Sequence, residues 1–261
     1  MHKATEERMR DTMYIGVANV INGTETPAGD GKTGAERCVI ALEDGTQRAA
    51  ILKKGTLGQI KAECFCALLL KVLGLTVPDP YIVFLTADEI AFASADLTYP
   101  NLKKHLSVDA LPDGPAKQAA INCIFELVAK FKSTPLALSI DEVIDNRDRN
   151  LGNILWDGES EAWIDHAYCL GEGALVGMDD INKLACMMQQ LGIEERVSRS
   201  AIGQSFVISG ILSEVVLNEV SSALSDHINV EDAVKFISNR LPTLQRRILD
   251  RFPKNDLLAG I

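Results

Sequence analysis

No C-x-x-C pair occurs in this chain, although it holds six cysteines: Cys38, Cys64, Cys66, Cys123, Cys169 and Cys186. Their scattered spacing signals neither a zinc site nor a disulfide framework, so they read as small buried hydrophobes in a reducing compartment. Positive charge is also short. With 26 Lys and Arg against 36 Asp and Glu the net charge is −10, whereas wholesale binding of nucleic acid or an anionic membrane needs the opposite balance. That total leaves room for a local basic patch. Long apolar runs are missing too. The longest, Cys64 to Leu70, is far too short to span a bilayer, and the opening MHKATEERMRD has no apolar core of a signal peptide. Together these absences lead us to expect a cytoplasmic protein with no membrane insertion and no nucleic-acid partner.

What is present is ordinary globular composition: 261 residues, 47% hydrophobic and 24% charged. That is enough to bury a sizeable core, as one large domain or as two closely packed lobes. No internal repeat, low-complexity tract or long linker divides it. Residues 1–11 read as a frayed or helical lead-in. Strands are expected at 13–21, 37–42 and 47–53, with Glu43-Asp44-Gly45 as the turn between the last two. A helix follows over about 59–73, stopped by Gly74. Beyond Val77-Pro78-Asp79-Pro80, two more strands at 81–85 and 90–92 complete a five-stranded antiparallel sheet.

The second half reads as helical. Asp113-Gly114-Pro115 opens a helix, with Asp113 as its cap and Ala120, Ile124, Leu127, Val128 and Phe131 as its core stripe. A shorter helix spans 136–144. Asp179 or Asp180 can cap another, carrying Ile181, Leu184, Ala185, Met188 and Leu191, and further helices fall at about 206–224 and 230–249, the last broken at Pro242.

The chemistry concentrates in SIDEVIDNRDRNLGNILWDGESEAWIDHAYCLG, which starts at Ser139. Asn153 follows Asp148 by five residues, the apolar Ile154 and Leu155 come next, and Ala162-Trp163-Ile164 leads to Asp165. A tight loop can point Asp148 and Asn153 inward, and a hairpin over 154–164 returns Asp165 beside them. Phosphoryl transfer needs this set. One carboxylate orients and deprotonates the attacking hydroxyl, while an amide and a second carboxylate hold magnesium on the phosphates. A calcium loop is excluded, because no register beginning at Asp145 or Asp148 has both Gly at its sixth position and Glu at its twelfth.

The D-x-x-x-x-N-I-L step followed by I-D-H resembles the catalytic core of HipA-like kinases, which have the protein-kinase-like fold and are distantly similar to phosphatidylinositol kinases. The resemblance covers most of residues 13–171. It implies a bilobal α+β fold, with an antiparallel-sheet N-lobe carrying one helix (1–96) and a mostly helical C-lobe (97–261). It further implies Asp148 as catalytic base, Asn153 and Asp165 as magnesium ligands, and ATP as phosphate donor to a hydroxyl of a protein Ser or Thr. A small-molecule or lipid kinase, or a nucleotide-binding pseudokinase, is the alternative. Two departures stand out: His166 and Ala167 replace the Phe and Gly of the D-F-G step, and Asn150 stands where related enzymes carry Lys or His. Asn donates hydrogen bonds but brings no positive charge.

Two small-lobe features complete the expectation. Glu63 shares a helix face with Ile60, Ala67 and Leu70, so its charge needs a partner. In kinases that partner is a lysine on the third strand, which also grips nucleotide phosphates. Lys53 is in phase with Ala49 and Ile51 while Lys54 points the other way, and the matching lysine of HipA-like sequences likewise follows a short apolar run. Lys53 is therefore preferred; a bulge would exchange the two. In the loop NGTETPAGDGKTGAE, the GDGKT step lacks the first Gly of a Walker A motif, Thr26 standing there, and is followed by a strand pattern rather than a helix. Gly29, Gly31 and Gly34 instead suit a hairpin lid whose amides approach phosphate oxygens; a surface loop without ligand is the competing reading.

Overall fold

The computed structural model describes residues 13–28, 34–86, 89–172 and 182–252. The lead-in 1–11, Gly29 and Gly31, and the caps Asp179 and Asp180 with Ile181 lie outside the described residues.

Six strands form the first sheet: β1 (Gly16–Val20), β2 (Thr26–Pro27), β3 (Glu36–Leu42), β4 (Gln47–Lys53), β5 (Pro80–Phe84) and β6 (Ile90–Ala95). The expected antiparallel sheet needs correction, because this one closes on itself. β1 pairs with β3 antiparallel and with β5 parallel, in the order β1-β5-β6-β4-β3-β2. A parallel pair requires a long connection, and the β3–β4 hairpin with the helix after it supplies one. Closure also leaves few unpaired strand edges. The hairpin itself turns where the sequence signals it, at Gly45 with φ 81°, while the Asp44 carboxylate accepts from the Thr46 amide at 2.9 Å and from its hydroxyl at 2.7 Å.

Strand alternation assigns the two faces. Ala18, Cys38, Ile40, Ala50, Leu52, Tyr81, Val83, Ala91 and Ala93 make one dry cluster within the closed sheet. Their alternates Ile82 and Phe92 join the main core instead. Against β5 and β6 lies α1 (Leu57–Val72), which also meets the tail helix α7 (Glu214–Ser222). Thr56 and Gln59 form a capping box at its start, two residues before the expected boundary. At its end Gly74 takes φ 87°, and the Leu75 amide donates to Leu70 O at 2.9 Å. Covered from two sides, α1 buries every residue from Ala62 to Leu70, Glu63 included.

The helical half holds α2 (Leu102–His105), α3 (Pro115–Lys130), α4 (Thr134–Ile144), the hairpin β7 (Ile154–Trp156) and β8 (Glu161–Trp163), α5 (Lys183–Gln190), α6 (Glu194–Ile211), α7, α8 (Glu231–Arg240) and α9 (Leu244–Arg251). Three local expectations change. Gly114, not Asp113, is the cap of α3, and the Asp113 carboxylate accepts from Lys117 at 2.8 Å. The helix expected over 206–224 is two, because Ser213 caps a new start and takes the Val216 amide at 3.4 Å. Cys123 is exposed and Cys186 half-buried, off the packed faces, while the other four cysteines are buried as expected. Pro242 does break the last helix, in a single turn of 3₁₀ helix over Leu241–Thr243. The tail reaches back to the sheet, with Phe84 meeting His227 edge-on at 6.0 Å, so one core runs from Met13 to Phe252. No single described helix is long and apolar enough to cross a membrane; α6 and α7 reach that length and apolarity only together, across a 73° bend.

Candidate active site

A cleft of ≈ 650 Å³ opens where the closed sheet meets the helical half. Ile51 and Lys53 of β4 line one wall, Asn153, Leu155 and Asp165 the other, and the segment from Asp96 to Asn101 closes the back. A second hollow of ≈ 980 Å³, lined by Leu212, Leu217, Val234 and Pro242, is larger but contains none of the expected site residues.

The strand period puts Lys53 into the cleft. Its ammonium lies 2.5 Å from Glu63 Oε1 and 3.0 Å from Asp165 Oδ1, so three residues far apart in sequence meet at one cation. Lys54 faces away and pairs with Glu36 at 2.7 Å. Glu63 is only 1% exposed, and its second oxygen accepts the His166 backbone N–H at 3.0 Å. Burial alone would raise the Glu63 carboxyl. The charge of Lys53, together with His166, outweighs that and holds it below the usual range. The His166 imidazole, by contrast, is pushed down by its burial and by the neighbouring Arg149 and Lys53 charges, with Glu63 pulling the other way. Its Nδ1 lies 3.6 Å from Glu63, so a neutral ring packs where the resemblance implies Phe. Asp165 takes φ 68°, a left-handed conformation that Asp tolerates better than most residues; it turns the chain sharply after β8.

Below the cleft, local hydrogen bonds shape the loop that carries Asp148. Asp145 ends α4 at φ 59°, and the Asn146 side chain takes the Asp148 amide at 3.1 Å. Asn150 donates to Asp148 O at 2.8 Å and accepts the Gly152 amide at 2.8 Å, which starts the turn Leu151–Asn153. Asn153 Nδ2 also donates to Asp148 O, at 3.0 Å, so its carbonyl oxygen is left for another partner. The hairpin forms between the expected strands, Ile154 opposite Trp163, and the Ile164 amide returns to Asn153 O at 3.1 Å. Asp148 is tied within its loop to Asn153, and its carboxylate pairs with Lys183 at the start of α5. Of the glycine-rich loop both stems are described, up to Ala28 and from Gly34: Gly34 takes φ 64°, the Ala28 amide donates to Ala35 O at 2.9 Å, and Ala28 and Ala35 line the cleft.

Sequence reasoning missed Arg149, which is buried to 1%. It grips Asp141 of α4 with two nitrogens, at 2.9 and 3.1 Å. It also donates to Ile164 O at 2.8 Å and to Asn153 O at 3.4 Å, and its guanidinium lies 5.4 Å from the Trp163 ring centre. One buried fork thus joins α4 to both ends of the hairpin. The available signal was Asp141 itself, a charged residue amid the apolar stripe of a short helix. Also missed was Arg37, which lines the cleft and pairs with Asp96 at 2.5 Å.

A closed sheet with one crossing helix thus stands above a helical half, with a lysine shared by two carboxylates at their junction. Among solved structures, the chain is similar to the Helicobacter pylori proinflammatory kinase CtkA at 15% identity and TM-score 0.49, over 89% of this chain and 95% of that one. It is also similar to HipA of the Shewanella oneidensis MR-1 toxin–antitoxin system, solved with HipB and operator DNA, at 16% identity and TM-score 0.46, over 88% of this chain and 64% of that one. The Golgi casein kinase follows at 12% identity and TM-score 0.41, over 97% and 78%. No protein-family model and no curated protein sequence matches the chain. At such identities the likeness concerns fold alone.

Proposed function

We propose that this chain is an ATP- and magnesium-dependent phosphotransferase of the HipA-like kind that passes the γ-phosphate to a hydroxyl, with a protein Ser or Thr as the favoured acceptor. One observation carries the reading: Lys53 touches both Glu63 and Asp165 across the cleft, and Asn153, which lines the same cleft, is tied to the Asp148 backbone. Residues 1–96 act as the N-lobe and 97–261 as the C-lobe. The reduced cysteines and the acidic charge support a cytoplasmic setting without a nucleic-acid partner.

Each residue has a distinct task in this reading. Lys53 positions the α and β phosphates, and Glu63 fixes its ammonium; the amides of Gly29, Gly31 and Gly34 cover the phosphates. The Asp148 carboxylate accepts the proton of the acceptor O–H as its oxygen bonds to the γ-phosphorus. The bond from that phosphorus to the bridging oxygen breaks, and ADP leaves with the electron pair. The donor set suits magnesium: Asn153 has its amide oxygen uncommitted, and Asp165 uses one oxygen on Lys53 and keeps the other. Among the described residues no cluster of three or more His, Cys, Asp or Glu side chains forms a metal cage. In this reading Asn153 and Asp165 would hold the ion together with phosphates and water. When bound, such an ion would supply neutralisation of phosphate charge.

The test is Asp148→Asn measured beside the wild type with labelled Mg-ATP and a panel of protein, small-molecule and lipid acceptors. Nucleotide affinity should survive while transfer falls by about two to four powers of ten. Transfer at the native rate would remove Asp148 from the mechanism. A wild type that binds Mg-ATP and phosphorylates nothing would instead be a nucleotide-binding regulatory module.

A further inference from the structure

Negative charge accumulates on the transferring phosphoryl group, and kinase sites place cations beside the catalytic carboxylate to meet it. The loop around Asp148 has none to offer. Arg147 pairs with Asp145 at 3.0 Å, and Arg149 is buried on Asp141 and two carbonyls. Asn150 is neutral, and both ends of its amide are engaged within the loop, at Asp148 O and the Gly152 amide. Among the described residues, a cation reaches Asp148 from elsewhere. Lys183, the first residue of α5, pairs with Asp148 Oδ1 through a side chain that is 47% exposed.

We infer that Lys183 is the phosphate-facing cation of this catalytic loop, supplied from α5 in place of a basic residue at position 150; this rests on the phosphotransferase reading of the cleft. The division of labour is physical. Asn150 shapes the turn that Gly152 and Asn153 need, which a lysine there could not do because it has no acceptor for the Gly152 amide. A lysine is a compact charge on a flexible stem. From Lys183 it can hold the Asp148 carboxylate toward the acceptor and turn its ammonium to the phosphoryl oxygens as charge develops there. An exposed ion pair with no such task would contribute little to anything.

The experiment compares wild type, Lys183→Met, Lys183→Arg and Asp148→Asn with γ-labelled Mg-ATP, following label into water and onto the chain itself, beside calorimetric Mg-ATP affinity and thermal melting. Lys183→Met should lower kcat by about two to three powers of ten, the effect of deleting one group that stabilises developing charge. Mg-ATP affinity and melting temperature should stay near wild type, and Lys183→Arg should recover most of the rate, a split that a packing role would not produce. If Lys183→Met runs as fast as wild type, or faster, while Asp148→Asn is inactive, the inference is overturned and the site reading stands. If wild type and Asp148→Asn release label at the same rate, the site reading fails and the role of Lys183 goes with it.

Discussion

Lys53→Met tests the ion network of the cleft without any substrate. The Lys53 side chain is 17% exposed and that of Glu63 2%, with 2.5 Å between their charged atoms. Removing the cation leaves Glu63 as a buried, uncompensated charge, which costs about 3–5 kcal/mol. In a chain of this size each kcal/mol moves the melting temperature by about 2–4 °C, so the loss should be on the order of 6–20 °C. The lower half of that range is expected, because the His166 amide still holds Glu63 and Asp165 is in part solvated. Lys53→Met/Glu63→Leu removes both charges and should be less destabilised than Lys53→Met alone. Acid gives a second readout. Against its burial, Lys53 and His166 hold the Glu63 carboxyl down from its ordinary 4.5 to about 2. Glu63 therefore contributes stability above pH 4.5 that is lost as pH falls toward 2. In Lys53→Met burial is no longer opposed, Glu63 takes up a proton more readily, and the deficit against wild type should shrink on acidification. Urea and thermal unfolding at pH 7 and pH 4 measure both effects. Lys54→Met, on the exposed pair with Glu36, is the control and should stay within about 0.5 kcal/mol of wild type. A Lys53→Met protein as stable as wild type, or a double variant that shows the sum of its single losses, would refute the network.

Other perturbations probe separate parts of the molecule. Asp165→Asn removes a full negative charge from the cleft and should abolish magnesium-dependent nucleotide affinity; calorimetry giving the same Mg-ATP affinity as wild type would reject the metal assignment. Arg149→Met strands Asp141 in the core and should cost about 3–5 kcal/mol in denaturant unfolding, and Arg149→Lys should recover little of it, since one ammonium cannot span the fork. The Glu142 carboxyl is pushed up to about 7 by burial, against the pull of Arg251 and Arg240. The folded protein thus binds that proton more tightly than the unfolded chain, and this contribution to stability falls away as pH rises from 4.5 through about 7. Glu142→Gln should flatten the decline, and an unchanged slope of stability against pH across that window would show that Glu142 does not cause it.

Much of this was legible because it is local. The period of two along β4 distinguishes Lys53 from Lys54 with no knowledge of what lies opposite. The short span from Asp148 through a hairpin to Asp165 can hardly fold without gathering its ends, and β7 with β8 closes it between the residues expected. Gly45, Gly74 and Pro242 each act through their own backbone, so turn, stop and break fall where they stand. Helix boundaries were less legible. The cap at Ser213 and the capping box of Thr56 depend on which of several competent side chains the surrounding packing selects.

What only the tertiary structure decided depends on partners distant in sequence. The closed sheet arises because β1 finds β3 on one side and β5 on the other, and nothing within β1 encodes a parallel neighbour. Likewise Glu63 is buried not only by its own helix face but because Lys53 comes to it from β4 and the His166 amide from the chain beyond β8. Arg149 looks like one more charge in a polar loop until α4 brings Asp141 to it, and Lys183 stands apart from Asp148 until α5 is docked. Local dihedral and periodic preferences are properties of the chain, and the sequence determined those. Which charge meets which is settled by burial: once water is removed, an ion must have its counter-ion, and only the packed fold says which one is within reach.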